Sequence, residues 1–243
     1  MSTASAATAR ERMALALDVS DLDSALSLAT GLGEYFGIAK VGLELFVSEG
    51  PRCVSGLQEA GFSVFLDLKL HDIPNTVARA AAAAAASGAT WVTIHAAGGP
   101  DMIKAGVEGF GEPDLPGGQL PLRAGVLGVT VLTSSPTKDA DQVTQRARMA
   151  HGGGCAGVVC AGSEVEALRK EMPDLACVVP GIRMPGDGPG DQARITTPKA
   201  ALLAGAAMLV IGRAVTAADS PAEAAAGIQM DVLAALGAQI PPK

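Results

Sequence analysis

The sequence predicts a single-domain α/β protein, a closed TIM-type (β/α)8 barrel. Three observations carry that expectation. Short apolar runs alternate with amphipathic or alanine-rich stretches from end to end of the 243 residues. Eight such pairs at about 30 residues each match the arithmetic of a barrel of about 250 residues. No shift in composition marks a domain boundary, and a doubly wound sheet, the other candidate, rarely needs so many regular units.

The strands are expected, in order, at Met13–Asp18, Ile38–Val41, Ser63–Leu70, Trp91–His95, Ala124–Leu132, Gly157–Ala161, Ala176–Ile182 and Met208–Ile211. Helical stretches are expected near 21–33, 43–60, 75–87, 100–109, 138–151, 163–171, 198–204 and 221–236. Local chemistry supports several boundaries. Thr197-Pro198 reads as an N-cap followed by a proline in the first turn. Ala80–Ala86 is strongly helix-forming and ends at Ser87-Gly88, and its thin face invites close packing by another element. Residues 1–12 are expected to be a flexible tail and 13–243 the barrel. The Gly/Pro-rich Gly111–Pro121 joins a helix to a strand, which puts it at the bottom face with no function assigned. Met184–Asp191 joins strand 7 to its helix and so belongs to the opposite, functional face.

Composition narrows the function. Lys and Arg number 18 against 25 Asp and Glu, a net charge of −7. Nucleic acid and anionic membrane surfaces need clustered cations, so neither is an expected partner. An anionic small molecule needs only a few. Nothing approaches the roughly 18 to 20 uninterrupted apolar residues of a membrane span. Cys53, Cys155, Cys160 and Cys177 form no CxxC pair, and the histidines show no ligand spacing. Buried free thiols in a reducing cytoplasm, with no bound metal, are the expectation.

The chemistry concentrates at the C-terminal ends of the strands. In Ser63–Leu70 the two-residue period puts Val64, Leu66, Leu68 and Leu70 outside, against helices. Phe65, Asp67 and Lys69 then point into the barrel, where charges are costly unless paired. Strand 1 ends at Asp18, strand 2 leads to Lys40, and Asp72 follows Lys69 by three residues. Together they form an array of alternating charge that keeps lysines cationic and carboxylates ionised. Such a lysine can protonate a developing carbanion, and a carboxylate facing a substrate carboxylate favours its departure. A second group looks made for phosphate. Arg183 follows Gly181-Ile182 after strand 7, Gln192 closes the next loop, and Gly212-Arg213 ends strand 8. The loops after strands 7 and 8 are the recurrent phosphate site of these barrels. His95, His71 (read as out of phase with Asp67 and Lys69) and His151 are given structural roles, and Tyr35 and Trp91 packing roles.

The blocks LALD at 15–18, KVG at 40–42, FLDLKLHDIPNT at 65–76, VTVLTS at 129–134, PGIR at 180–183, GDQ at 190–192 and VIGR at 210–213 resemble the orotidine 5′-monophosphate decarboxylases. The resemblance implies a homodimeric barrel that converts orotidylate to UMP with no cofactor. It implies that Lys69 protonates C6, that Asp67 sits beside the departing CO2, and that Lys40 and Asp18 hold the ribose and complete the charged network. Asp72 and Thr76 would reach into the partner's site, Thr133 would lie by the pyrimidine, and Arg183, Gln192, Gly212 and Arg213 would serve the phosphate. Two other readings compete: a magnesium-dependent sugar-phosphate decarboxylase or aldolase built on the same Asp-x-Lys-x-x-Asp core, and a non-catalytic nucleotide binder. The residues after Asp72 and the Gln192 loop weigh against the first, and an intact Lys69 against the second.

Overall fold

The computed structural model describes residues 8–112, 122–135, 139–184 and 194–238. It is a closed barrel of eight parallel strands, each paired with its sequence neighbour, with β1 closing onto β8. The strands are β1 (Met13–Leu17), β2 (Ile38–Val41), β3 (Ser63–Leu70), β4 (Trp91–His95), β5 (Gly125–Val129), β6 (Gly157–Val159), β7 (Cys177–Val179) and β8 (Met208–Ile211). The expected runs at β5, β6 and β7 were longer, because their apolar pattern continues beyond the last ladder bond into the loops of the mouth. Ile182, for example, keeps only an isolated bridge, to Thr196.

The helices between them are α1 (Leu22–Gly31), α2 (Leu43–Glu49), α3 (Arg52–Glu59), α4 (Pro74–Ala86), α5 (Pro100–Phe110), α6 (Ala140–Gly152), α7 (Val165–Glu171), α8 (Pro198–Leu203), α9 (Arg213–Thr216) and α10 (Pro221–Ala238). Two differences from the expectation have local causes. The stretch 43–60 is two helices, broken where Gly50 takes a φ of +62° ahead of Pro51. The short α9 follows β8 directly and has too few residues to show a helical period.

Caps fall where side-chain chemistry puts them. Thr197 Oγ1 accepts the Ala200 N–H at 3.2 Å, with Pro198 in the first turn. Asp21 and Asp139 cap α1 and α6 in the same way. The alanine face of α4 packs so closely on α5 that a Cβ at Gly109 would lie 2.2 Å from the Ala78 carbonyl oxygen.

Residues 8–12 depart from the expected flexible tail. Residues 8–10 form a helical turn and Ala9 is fully buried. Arg10 Nε donates to the Gly33 and Phe36 carbonyls, and the Arg12 carbonyl accepts from Leu209 N–H at 2.8 Å. This polar-looking segment therefore closes the bottom of the barrel, with its arginine bonded to two carbonyls of the loop between α1 and β2. Residues 1–7 and 113–121 lie outside the described residues, and with them the first part of the tail and most of the Gly111–Pro121 loop.

Two apolar layers position the site. Outside the strands, Val64 and Leu66 are fully buried against helices, with Leu68 and Leu70 packed on the same cluster, as the alternation predicts. Inside, Ala14, Ile38, Phe65, Trp91, Val178 and Met208 fill the lower barrel. That plug is a dry floor, and the next inward-facing residues stand on it at the C-terminal mouth. All four cysteines are buried free thiols, and burial pushes Cys53 up to about 11 and Cys155 to about 12.

Candidate active site

The mouth holds a cavity of about 600 Å³. Asp18, Lys40, Asp67 and Lys69 form one wall, and Thr133, Arg183, Gly212 and Arg213 lie on the other side. Eight of the residues singled out from the sequence thus share one cavity, and each comes from a strand end or the loop that follows it. Gln192 and the segment 185–191 lie outside the described residues.

The charged wall is continuous. Lys40 Nζ stands 2.9 Å from Asp18 Oδ1 and 4.0 Å from Asp67 Oδ2, and Lys69 Nζ stands 2.8 Å from the same Asp67 oxygen. Lys40 is buried, with 9% of its side chain exposed, against 17% for Asp67 and 30% for Lys69. A buried ammonium of this kind persists only when carboxylates face it on both sides, which is what Asp18 and Asp67 do. Burial alone would push the Asp67 carboxyl up. Lys69 and Lys40 outweigh it, with hydrogen bonds from Lys69 and Thr93, and hold the group below the usual carboxylate value. Gly42 makes room for the pair behind, since a Cβ there would lie 3.1 Å from Asp18 Oδ1 and 3.2 Å from Lys40 Nζ.

Lys69 is the non-glycine residue with positive φ among the described residues, at +52°. A left-handed conformation costs an L-residue about 1 to 2 kcal/mol. The register explains where it falls: Leu66 pairs with Val92, but Leu70 pairs with Ile94. Four steps on β3 therefore face two on β4, and the surplus bulges into the mouth around Lys69. The alternation nevertheless persists through the bulge, with Leu68 and Leu70 still on the outer cluster. His71, expected out of phase with Asp67 and Lys69, shares their two-residue phase, and it is exposed with its ring 5.6 Å from that of His95, centroid to centroid. Burial, followed by positive neighbours His71, Lys69 and Arg146, holds His95 below its ordinary value, while Asp67 pulls the other way.

Asp72 and Thr76 are not in the cavity wall. Both are exposed, at the exit of β3 and in the first turn of α4, and Asp72 Oδ1 accepts the Ile73 N–H at 2.7 Å. Between them Ile73 is 66% exposed. On the other wall Arg183 is buried, donating from Nη1 to the Ile182 carbonyl at 2.8 Å, whereas Arg213 is exposed. Arg183 thus lies inside the wall and Arg213 reaches solvent at the mouth.

Two further groups escaped the sequence reading. Thr93, fully buried on β4, bridges Asp67 and Lys69. The alternation Trp91-x-Thr93-x-His95 marks it as inward-facing, and that signal was available. Arg194 pairs with Glu164 and donates to the Val131 and Leu132 carbonyls. It thereby ties the chain entering α8 to the loop that carries Thr133. No local pattern announces that contact, because its partners are far apart in the sequence.

Comparison with known proteins gives the same family. The model of the orotidine 5′-phosphate decarboxylase / HUMPS family matches residues 11–228. The chain belongs to this family. A protein named orotidine 5′-phosphate decarboxylase from Anaeromyxobacter sp. (strain K) is 46% identical over 229 residues, covering 90% of this chain and 96% of that one. The family member of the same name from Heliobacterium modesticaldum is 42% identical over 232 residues, covering 89% and 93%. The crystal structure of orotidine 5′-phosphate decarboxylase from Lactobacillus acidophilus superposes with a TM-score of 0.75 at 35% identity, covering 90% of this chain and 98% of that one. The family's barrel is therefore this chain's barrel.

Proposed function

We propose that this chain decarboxylates orotidine 5′-monophosphate to UMP, the last step of UMP synthesis, without a cofactor. The observation that carries the reading is the row Asp18–Lys40–Asp67–Lys69, ammonium and carboxylate alternating along one wall of a cavity. The family membership and the names of the relatives support the substrate.

The chemistry follows from the row. The bond from C6 of the pyrimidine to the carboxylate breaks, CO2 leaves, and its electron pair stays on C6. Lys69 gives that carbon a proton from its ammonium, and the resulting amine regains a proton from water. Asp67 stays ionised beside the substrate carboxylate, so charge repulsion is relieved as CO2 departs. Lys40 neutralises Asp67 from behind and, with Asp18, meets the ribose hydroxyls. Thr133 contacts the pyrimidine. Arg183, Gly212, Arg213 and Gln192 take the phosphate, whose binding energy lowers the barrier at a carbon it does not touch.

The enzyme would work as a homodimer. Asp72 and Thr76 lie outside their own cavity and flank the exposed Ile73, so this face would supply both side chains to the partner's site. A cytoplasmic location belongs to the same proposal. It fits the four buried free thiols, and no helix among the described residues is long and apolar enough to cross a membrane.

Incubation with orotidylate tests the activity, because the ultraviolet spectrum changes as the carboxylate is lost. Conversion that continues in excess EDTA is expected. Conversion abolished by EDTA and restored by magnesium would move the chain to the metal-dependent chemistry, and none under any condition would leave only a binder.

A further inference from the structure

Thr93 has one hydroxyl and two partners. Its Oγ1 lies 2.8 Å from the Lys69 backbone nitrogen and 3.0 Å from Asp67 Oδ1. A backbone N–H can only donate, so the hydroxyl accepts there, and its single proton goes to Asp67. The direction of both bonds is fixed. Neither competes with water, because Thr93 is fully buried.

The two bonds meet where β3 leaves its ladder. Lys69 falls inside the register shift between β3 and β4, so its N–H is not in a regular pairing position. The Thr93 hydroxyl stands in for the missing carbonyl, and the Lys69 backbone turns left-handed around it. The same hydroxyl occupies Asp67 Oδ1, leaving Oδ2 to Lys69 Nζ at 2.8 Å and Lys40 Nζ at 4.0 Å. Trp91, one step down the inward face of β4, anchors this strand to the barrel floor through Nε1 to the Arg123 carbonyl at 2.9 Å.

We propose that Thr93 is a positioning residue that presents the Lys69 ammonium and the Asp67 carboxylate as one rigid unit, through a single buried hydroxyl. This rests on the decarboxylase reading for what the unit does, but not for whether it exists. A carboxylate free to rotate would carry Lys69 with it, and the proton donor would lose its aim at C6. Thr93 bonds to neither Asp18 nor Lys40, which would meet the ribose, nor to the residues that would take the phosphate, so its loss should appear in kcat rather than in KM.

The test compares Thr93→Val, which keeps the shape and removes the hydroxyl, with Thr93→Ser, which keeps the hydroxyl. With orotidylate, Thr93→Val should lower kcat by about 100-fold, the scale for a small misplacement of a reacting group, and leave KM nearly unchanged. Thr93→Ser should stay close to wild type. A second readout needs no substrate: carbon NMR titration of the Asp67 carboxyl. The groups facing it are Lys69 on its own strand, Lys40 on β2, paired to Asp18, and His95 on β4. All four remain in the variant, so a shift reports the hydroxyl. Asp67 should titrate about one pH unit higher in Thr93→Val, as expected for one lost hydrogen bond, and as in wild type in Thr93→Ser. Wild-type kcat and titration in Thr93→Val would overturn the proposal, as would equal losses in the two variants. If Thr93→Val failed to fold, Thr93→Ala would make the same comparison. If the wild-type protein left orotidylate unchanged, the decarboxylase reading would fail and the titration alone would decide this one.

Discussion

Lys69 and Asp67 are two residues apart, and their charged atoms meet at 2.8 Å. Residues so related on a regular strand share one face with their Cα atoms about 6.5 Å apart, a span that the long lysine side chain can cross. The left-handed turn at Lys69 sets the direction from which its ammonium meets Asp67 Oδ2. Strain in the backbone is thus exchanged for a donor held against the carboxylate that faces the leaving group. The turn is held by the Thr93 hydroxyl, which accepts the Lys69 N–H at 2.8 Å.

Removing that donor gives the first prediction. Lys69→Ala should fold normally, because the side chain is partly exposed and its loss relieves strain in no core layer. Its turnover of orotidylate should fall by at least about a thousandfold, on the scale of a lost general acid with its electrostatic contribution. Near-normal turnover in a folded variant would remove Lys69 from the mechanism.

Phosphate binding gives the second. Arg213 is exposed at the mouth, opposite the charged wall. Arg213→Ala should lower kcat/KM for orotidylate by two or more orders of magnitude, since an ionic hydrogen-bonded contact of several kcal/mol would be lost. The slow reaction of orotidine, which lacks the phosphate, should hardly change. Equal losses on both substrates would place Arg213 elsewhere in the mechanism.

The barrel, its strand order and the charged wall were legible in the sequence because each rests on a local period. Asp67 and Lys69 announce themselves as charges on the inward phase of an otherwise aliphatic strand. Arg10 and Arg194 were illegible, because their partners are backbone carbonyls and a carboxylate brought close only by closure of the barrel. His71 was misplaced for a different reason: 67, 69 and 71 are each two residues apart, so the alternation itself puts His71 in phase with Asp67 and Lys69, and its ring stands by that of inward-phase His95.

Acidity should act through His95 first. Its folded value lies below the ordinary 6.5, so the unfolded chain takes up the proton more readily. Stability contributed by neutral His95 is therefore present above about pH 6.5 and is lost as pH falls through the lower folded value. Asp67, also held low, contributes stability above its unfolded value of about 3.8 and loses it at still lower pH. Urea midpoints measured from pH 8 to pH 5 should fall in wild type and flatten in His95→Asn. A parallel fall in both proteins would assign the dependence to other groups.

Close packing of α4 on α5 can be tested by its effect on stability. Gly109→Ala would place a methyl 2.2 Å from the Ala78 carbonyl oxygen, so the helices must separate. Overpacking of this kind costs about 1 to 3 kcal/mol, which lowers Tm by several degrees in a chain of this size. Neither helix lines its own subunit's cavity, but Ala78 follows Thr76 by two residues, so kcat/KM of the folded variant reports whether the displacement reaches the proposed shared site. An unchanged Tm would mean that the interface yields without cost.

The shared site of the proposed dimer makes the sharpest prediction, because it depends on where two neighbouring residues act rather than on whether they matter. Lys69 lies in its own subunit's cavity, while Asp72, three residues on, is turned out of it beside the exposed Ile73. Lys69→Ala and Asp72→Ala should each be nearly inactive alone. In a mixed dimer, the Asp72→Ala subunit keeps its Lys69 and receives an intact Asp72 from its partner, so that site is whole. The other site carries both lesions. With equal amounts and random exchange, half the dimers are mixed and half their sites are whole, so activity should return to about a quarter of wild type for a two-fold dimer. If Asp72 served its own subunit's site, every site in every combination would lack one of the two groups, and mixing would restore nothing. Exchange can be verified independently by mass-tagging one variant, so a mixture shown to contain mixed dimers and no activity would place Asp72 in its own subunit.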